Sequence, residues 1–192
     1  MEGIVEHKID DDLIELIANA VKEIDNDLEQ DPKFKMFNRE CTQHRNVGFF
    51  SDTVSTYRYS GRDHRASPMT YQLQAILNQV NLIIKSDFNS ILINKYKDGN
   101  DYISAHSDDE KTIDQAHGVV SISSGSSRIF RIRDKPTKEI VADIPTRNDV
   151  ILQMCPKLPD GRSFQKTYTH EVIKDKAITE PRYSLTFRKF RI

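Results

Sequence analysis

Arg182-Tyr183-Ser184-Leu185-Thr186-Phe187-Arg188 alternates polar with apolar side chains without a break. In a β-strand, successive side chains take opposite faces. Arg182, Ser184, Thr186 and Arg188 then turn one way, and Tyr183, Leu185 and Phe187 the other. Two guanidiniums lining one face of a barrel interior need anions. A dicarboxylate such as 2-oxoglutarate supplies one, because Arg grips carboxylate through a paired, charge-assisted fork. An edge strand with solvated arginines fits the same pattern, so the stretch specifies a strand before it specifies a site.

That strand, extended to Arg182–Phe190, closes a series. Ser90–Tyr96, Gly118–Ser123, Arg128–Arg133, Ile140–Asp143, Asp149–Met154 and Thr167–Ile173 are short runs rich in β-branched and aromatic residues. Turn formers such as Lys97-Asp98-Gly99, Ser124-Gly125-Ser126 and Pro159-Asp160-Gly161 separate them. Many short strands with regular turns predict a sandwich or jelly roll. An earlier β region, Asn46–Tyr59, predicts a hairpin or lid.

Helical spacing appears only near the start. Asp10 to Leu28 carries Leu13, Ile17, Val21 and Ile24 on one stripe, with acids in its first turn. Ser67-Pro68 reads as an N-cap followed by Pro at the first helical position, opening a second helix through Leu73, Ile76, Leu77, Val80 and Ile83. Both helices are expected to buttress one face of a sheet. The expected class is α+β, mainly β: a double-stranded β-helix (jelly roll) flanked by N-terminal helices. The whole chain reads as one domain, with residues 1–88 as helical buttress and lid and residues 89–192 as the catalytic core.

Composition narrows the setting. The 192 residues are 30% charged and 37% hydrophobic, with net charge −1, which suits a globular chain and gives no overall positive field. A nucleic-acid partner would have to be held by a local patch. Cys41 and Cys155 are too few for a disulfide framework and point to a reducing compartment. No apolar stretch approaches a membrane span, and the acidic stretch from Met1 to Asp12 is unlike a signal peptide. The expectation is an intracellular monomer of nucleus or cytoplasm, with no membrane association.

His106-Ser107-Asp108 puts an imidazole and a carboxylate two residues apart, on one side of an extended strand. With His170 they would form a facial triad, leaving positions on Fe(II) open for a cosubstrate and O₂. Alone, the His-x-Asp pair also fits a surface turn. Asn94 and Tyr96 share a strand face and could reach the cosubstrate from an opposite wall, or form a plain polar strand edge.

Taken together, Ile93-Asn94-Lys95-Tyr96-Lys97-Asp98-Gly99-Asn100-Asp101, then His106-Ser107-Asp108-Asp109-Glu110, then Arg182-x-Ser184-Leu185-Thr186-Phe187-Arg188 resemble the AlkB family of dealkylating dioxygenases. The likeness runs over about residues 35 to 190 and is greatest to the type that repairs methylated bases in duplex DNA.

The resemblance implies iron held by His106, Asp108 and His170, and 2-oxoglutarate bound by Asn94, Tyr96, Arg182, Ser184 and Arg188. Ser184 stands where the family usually has Asn. The cofactors implied are Fe(2+), 2-oxoglutarate and O₂. Thr56-Tyr57-Arg58-Tyr59-Ser60-Gly61 looks like the family's nucleotide-recognition lid, with Tyr57 at the base-contacting position and Tyr59 beside it. Asp109 and Glu110 match acids that follow the iron Asp, and Phe37 falls where the duplex-repair type places a wedge. Ordinary packing would equally account for Phe37 and Tyr57. The loop Lys174-Asp175-Lys176-Ala177 is far less basic than its counterpart in the duplex-repair type. Arg128, Arg131, Arg133, Lys135 and Lys138, or Arg39 and Arg45, could supply a substitute patch, or be solvated faces. The implied activity is oxidative demethylation of 1-methyladenine and 3-methylcytosine, releasing formaldehyde, succinate and CO₂. DNA is the first expected partner and RNA the alternative. Hydroxylation of a protein or small molecule is a further alternative.

Overall fold

The computed structural model describes residues 1–36, 39–59 and 62–191. In chain order the strands are β1 (Ile4–Lys8), β2 (Lys33–Met36), β3 (Arg39–Thr42), β4 (Asn46–Phe50), β5 (Thr56–Tyr59), β6 (Arg62–Arg65), β7 (Ser90–Tyr96), β8 (Ile103–His106) and β9 (Ile113–Asp114). The second half adds β10 (Val119–Gly125), β11 (Ile129–Asp134), β12 (Ile140–Pro145), β13 (Val150–Met154), β14 (Tyr168–Val172) and β15 (Arg182–Phe190). Helices α1 (Asp11–Glu23) and α2 (Tyr71–Ile84) precede the core, and a single turn, α3 (Phe164–Thr167), leads into β14.

Two sheets face each other in a jelly roll. The major sheet runs β1-β13-β10-β15-β7-β4, with β9 attached to β15, and the minor sheet runs β12-β11-β14-β8. Period-two alternation gives the major sheet two different faces. Ile91, Ile93, Val120, Ile122, Ile151, Leu185 and Phe187 point outward and pack with Leu13, Ile17, Leu73, Ile76 and Val80 of the two helices. That stripe anchors α1 and α2 as the predicted buttresses. The inner face carries Asn94, Ser121, Ser184 and the arginines, and it closes further along with Tyr96, Leu152 and Met154 against Phe130, Ile132 and Val172 of the minor sheet.

Local boundaries differ from the sequence reading in ways capping explains. The first helix ends at Glu23 and passes through a 3-10 turn, Asp25–Asp27, rather than continuing to Leu28. The second helix starts at Tyr71, not at Pro68: the Thr70 side chain accepts from Leu73 N and supplies the cap assigned to Ser67. Asn46–Tyr59 is not one hairpin. β4 pairs with β7 inside the major sheet, while β5 pairs with β6 in a separate ribbon. Two strands of the first 88 residues, β1 paired with β13 and β4 paired with β7, join the major sheet.

Two loops that flank the site are fastened together. Gly99 N donates to Ile178 O at 2.7 Å, and Asp175 N donates to Gly99 O at 2.8 Å. A Cβ on Gly99 would collide with the Asp175 carbonyl, so this backbone contact requires glycine. Arg128, buried, donates to the carbonyls of Asp98, Asp101 and Ile173, tying the same loops to β11.

Candidate active site

His106 and His170 are register partners across the antiparallel pair β8 and β14, and their ring centroids lie 4.3 Å apart. The Phe130 ring stacks on His170 at 5.3 Å and limits its orientation. Asp108 follows β8 in a loop, so its approach to His106 comes from loop geometry and not from strand alternation. The loop is fixed by its backbone: Gln165 Oε1 accepts from Asp108 N at 3.0 Å, and Gln115 Nε2 donates to Asp108 O at 2.7 Å. Lys135 Nζ donates to Ser107 Oγ and Asp109 Oδ2, both at 2.8 Å, and steadies the next residues.

The ligand atoms of His106, Asp108 and His170 lie within 4.8 Å of one another, the one such cluster of three among the described residues. His106 Nδ1 donates to Ser104 O at 2.9 Å, which leaves the Nε2 lone pair facing Asp108 Oδ1 at 4.0 Å. His170 Nε2 lies 3.8 Å from Asp108 Oδ2, and that oxygen is buried with no hydrogen-bond partner. Two imidazole lone pairs around an orphaned carboxylate oxygen match the donor set that Fe(II) takes in a facial triad.

Charge is arranged to suit that donor set. Burial opposes ionisation of Asp108, but the Arg188 guanidinium and the two imidazoles override it and hold the carboxyl at about 2. Burial lowers both imidazoles, and His170, with His106 beside it, falls to about 3. At neutral pH the three groups are one carboxylate and two unprotonated rings.

The inner face of β15 supplies the rest. Arg188 Nη2 donates to Asp108 Oδ1 at 2.8 Å, so this guanidinium, expected on the cosubstrate, has the metal-site carboxylate as its anion. Arg182 lies about 20 Å away by six strand residues. It is 1% exposed, donates to Ser123 Oγ, and has no carboxylate partner among the described residues. Its Nη1 is buried and unpaired. A desolvated guanidinium with a free edge fits an incoming carboxylate, which is what 2-oxoglutarate brings. The Tyr96 ring lies 5.3 Å from this guanidinium.

Asn94 and Tyr96 stand in the same pocket but not on an opposite wall. They are register partners of Ser184 and Arg182 on the adjoining strand, because β7 pairs directly with β15. Ser184 is within 3.0 Å of Ser121 Oγ and lines the pocket. Arg45, expected as part of a surface patch, is instead 5% exposed and donates from Nε to Asn94 Oδ1 at 2.8 Å.

The other substrate candidates separate. Asp109 is exposed and paired with Lys135, and Glu110 is half-buried. Tyr57 and Tyr59 fall in β5, and their side chains lie outside the described ones; Phe37 lies outside the described residues altogether. The residues offered for a substitute basic patch differ in setting, with Arg39 and Lys138 exposed. Arg128 is interior, Arg131 pairs with Asp143, Arg133 with Glu171, and Lys135 with Asp109. Sequence reading also missed Ser123, Gln115 and Gln165. The alternation of Val120, Ser121, Ile122 and Ser123 carries a signal for the first, whereas nothing local marks the two glutamines.

The 2OG-Fe(II) oxygenase superfamily profile matches residues 7–188. The chain belongs to this superfamily. The oxygenase is 29% identical over 163 residues to DNA oxidative demethylase ALKBH2 of Bos taurus, covering 82% of this chain and 57% of that protein. It is 32% identical over 141 residues to the alpha-ketoglutarate-dependent dioxygenase alkB homolog 3 of Bos taurus, covering 69% of this chain and 47% of the relative. The chain thus spans about half the length of these curated relatives. Both are AlkB homologues, in agreement with the resemblance carried by the three sequence blocks. Among solved structures, the structure of OsALKBH1 matches with a TM-score of 0.59 and 15% identity, covering 98% of this chain and 99% of that one, a likeness of fold. The oxygenase works with Fe(II), 2-oxoglutarate and O₂. No helix among the described residues is long and apolar enough to cross a membrane.

Proposed function

We propose that the chain is an oxidative demethylase of N-alkylated bases in nucleic acid, with DNA carrying 1-methyladenine or 3-methylcytosine as its first substrate. The observation that carries this reading is one pocket that joins the His106, Asp108 and His170 cluster to the anion-free guanidinium of Arg182. Similarity to a DNA oxidative demethylase supports the choice of substrate.

His106, Asp108 and His170 would hold the iron, and Arg182 with Tyr96 and Asn94 would receive 2-oxoglutarate. The metal, cosubstrate and O₂ together supply the oxidation of the N-methyl group, which leaves as formaldehyde while 2-oxoglutarate becomes succinate and CO₂. The chain's own work is positional and electrostatic. Arg188 keeps Asp108 anionic, the buried walls exclude water, and Arg45 holds the Asn94 carbonyl oxygen, which would leave the amide N–H groups to donate to the cosubstrate. Ser184 in place of the family's Asn reaches less far and gives the cosubstrate a weaker contact on that side.

The loop Lys174-Asp175-Lys176-Ala177 offers two cations, one acid between them, where the duplex-repair type carries a basic run, and this favours a single strand over a duplex. The test is formaldehyde release from methylated single-stranded DNA, duplex DNA and RNA, each with Fe(II) and 2-oxoglutarate. Release from the single-stranded DNA above the other two supports the proposal. Cosubstrate turnover that ignores every methylated oligonucleotide rejects it and points to a protein or small-molecule substrate.

A further inference from the structure

Beside the metal pocket lies a wider hollow of about 340 Å³. The two share Arg45, Ile103 and His106, so a molecule in the hollow touches the outer edge of the triad. Gln43 lines it. This side chain is 5% exposed, and among the described residues neither its amide nitrogen nor its carbonyl oxygen has a hydrogen-bond partner. Leaving both halves of a buried amide unpaired is costly, and an apolar side chain of similar size would fill the same space without that cost. The exposed ring of the next residue, His44, also lines the hollow and stacks on Tyr102 with centroids 5.4 Å apart and planes 21° from parallel. The Lys174 ammonium lies 4.5 Å from the Tyr102 ring centre.

We propose that this hollow seats the nucleobase adjoining the reacting one, and that the Gln43 amide pairs with its edge. The inference rests on the nucleic-acid reading above. A carboxamide presents a donor and an acceptor side by side, the pattern needed to meet the donor and acceptor edge of a base in its plane. The stacked His44 and Tyr102 rings offer a flat surface of the kind on which unpaired bases lie, and Lys174 places a cation where a flanking phosphate would run. Gln43 is thus a specificity residue for sequence context, separate from the groups that hold metal and cosubstrate.

The test measures binding of a fluorescein-labelled single-stranded oligonucleotide with one 1-methyladenine to the full chain by anisotropy. Two further oligonucleotides carry an abasic site on the 5′ or the 3′ side of the methylated base. Gln43→Leu is expected to weaken binding of the intact oligonucleotide about tenfold, equivalent to about 1.4 kcal/mol. Its melting temperature should equal or exceed that of the wild type. One of the abasic oligonucleotides should bind the wild type about tenfold more weakly, and Gln43→Leu should lose nothing further on it. Equal binding by the variant and the wild type, or the same loss on all three oligonucleotides, would overturn the inference alone. A lowered melting temperature in both Gln43→Leu and Gln43→Met would also overturn it, by making Gln43 structural. Failure of the wild type to prefer the methylated oligonucleotide over its unmethylated form would remove the nucleic-acid reading and this inference together.

Discussion

Arg188 donates from Nη2 to Asp108 Oδ1 at 2.8 Å, joining the last strand of the major sheet to the loop after β8 of the minor sheet. Both residues are almost fully buried, so neither charge can be removed without stranding the other. Arg188→Met should weaken Mn(II) binding by about 10- to 100-fold, the range for loss of a group that orients a metal ligand. Isothermal titration with Mn(II) measures this, and Arg188→Lys should recover part of the loss. Unchanged affinity in Arg188→Met would mean that Asp108 needs no partner.

Arg182 differs from Arg188 in having no carboxylate beside it among the described residues. Arg182→Met should raise the KM for 2-oxoglutarate about 100-fold, in line with roughly 2–3 kcal/mol for a charge-assisted pair. The metal-free variant should melt no lower than the wild type, since a desolvated cation has been taken out of the interior. A large fall in melting temperature with an unaltered KM would assign Arg182 to structure instead.

Acid should destabilise the metal-free chain over a defined window. His170 is held at about 3, against the ordinary 6.5, by burial and by His106. Between those values the unfolded chain binds more protons than the folded one, so stability rises with pH there. The contribution is complete above about pH 6.5 and is lost as pH falls toward 3. Asp108, at about 2 against 3.8, acts with the same sign lower down. Melting temperatures from pH 7 to pH 4 should fall, and His170→Gln should flatten the slope. An identical slope in the variant would contradict the assignment.

Gly99→Ala probes the fastening of the two loops. The added methyl meets the Asp175 carbonyl, and the backbone there must move. Denaturant unfolding should show a loss of about 2 kcal/mol, typical of overpacking at a fixed contact. A change below about 0.5 kcal/mol, the scale of a neutral surface substitution, would show that the loops separate freely.

Much of this was readable in the chain because alternation is a direct record of which face a residue takes. The strands Ser90–Tyr96 and Arg182–Phe190 were found at their observed limits, and the polar face of the second lines the pocket as expected. Which strands pair is not written in alternation, so Asn94 and Tyr96 were placed on the wrong wall. β1 was missed because an edge strand with exposed Val5 and Glu6 has no clear apolar stripe. Charges misled for a similar reason. Arg45 and Arg128 look like surface cations in the sequence, and only the fold reveals that their partners are the Asn94 side chain and three backbone carbonyls.

The most direct test of the account asks whether this one pocket runs the reaction. Succinate and formaldehyde would be measured together in the presence of Fe(II), 2-oxoglutarate and methylated single-stranded DNA, for the wild type and for His106→Ala. The expected result is about one formaldehyde per succinate from the wild type, since one cosubstrate is decarboxylated per methyl group oxidised, and neither product above background from the variant. Formaldehyde release that survives His106→Ala would contradict it.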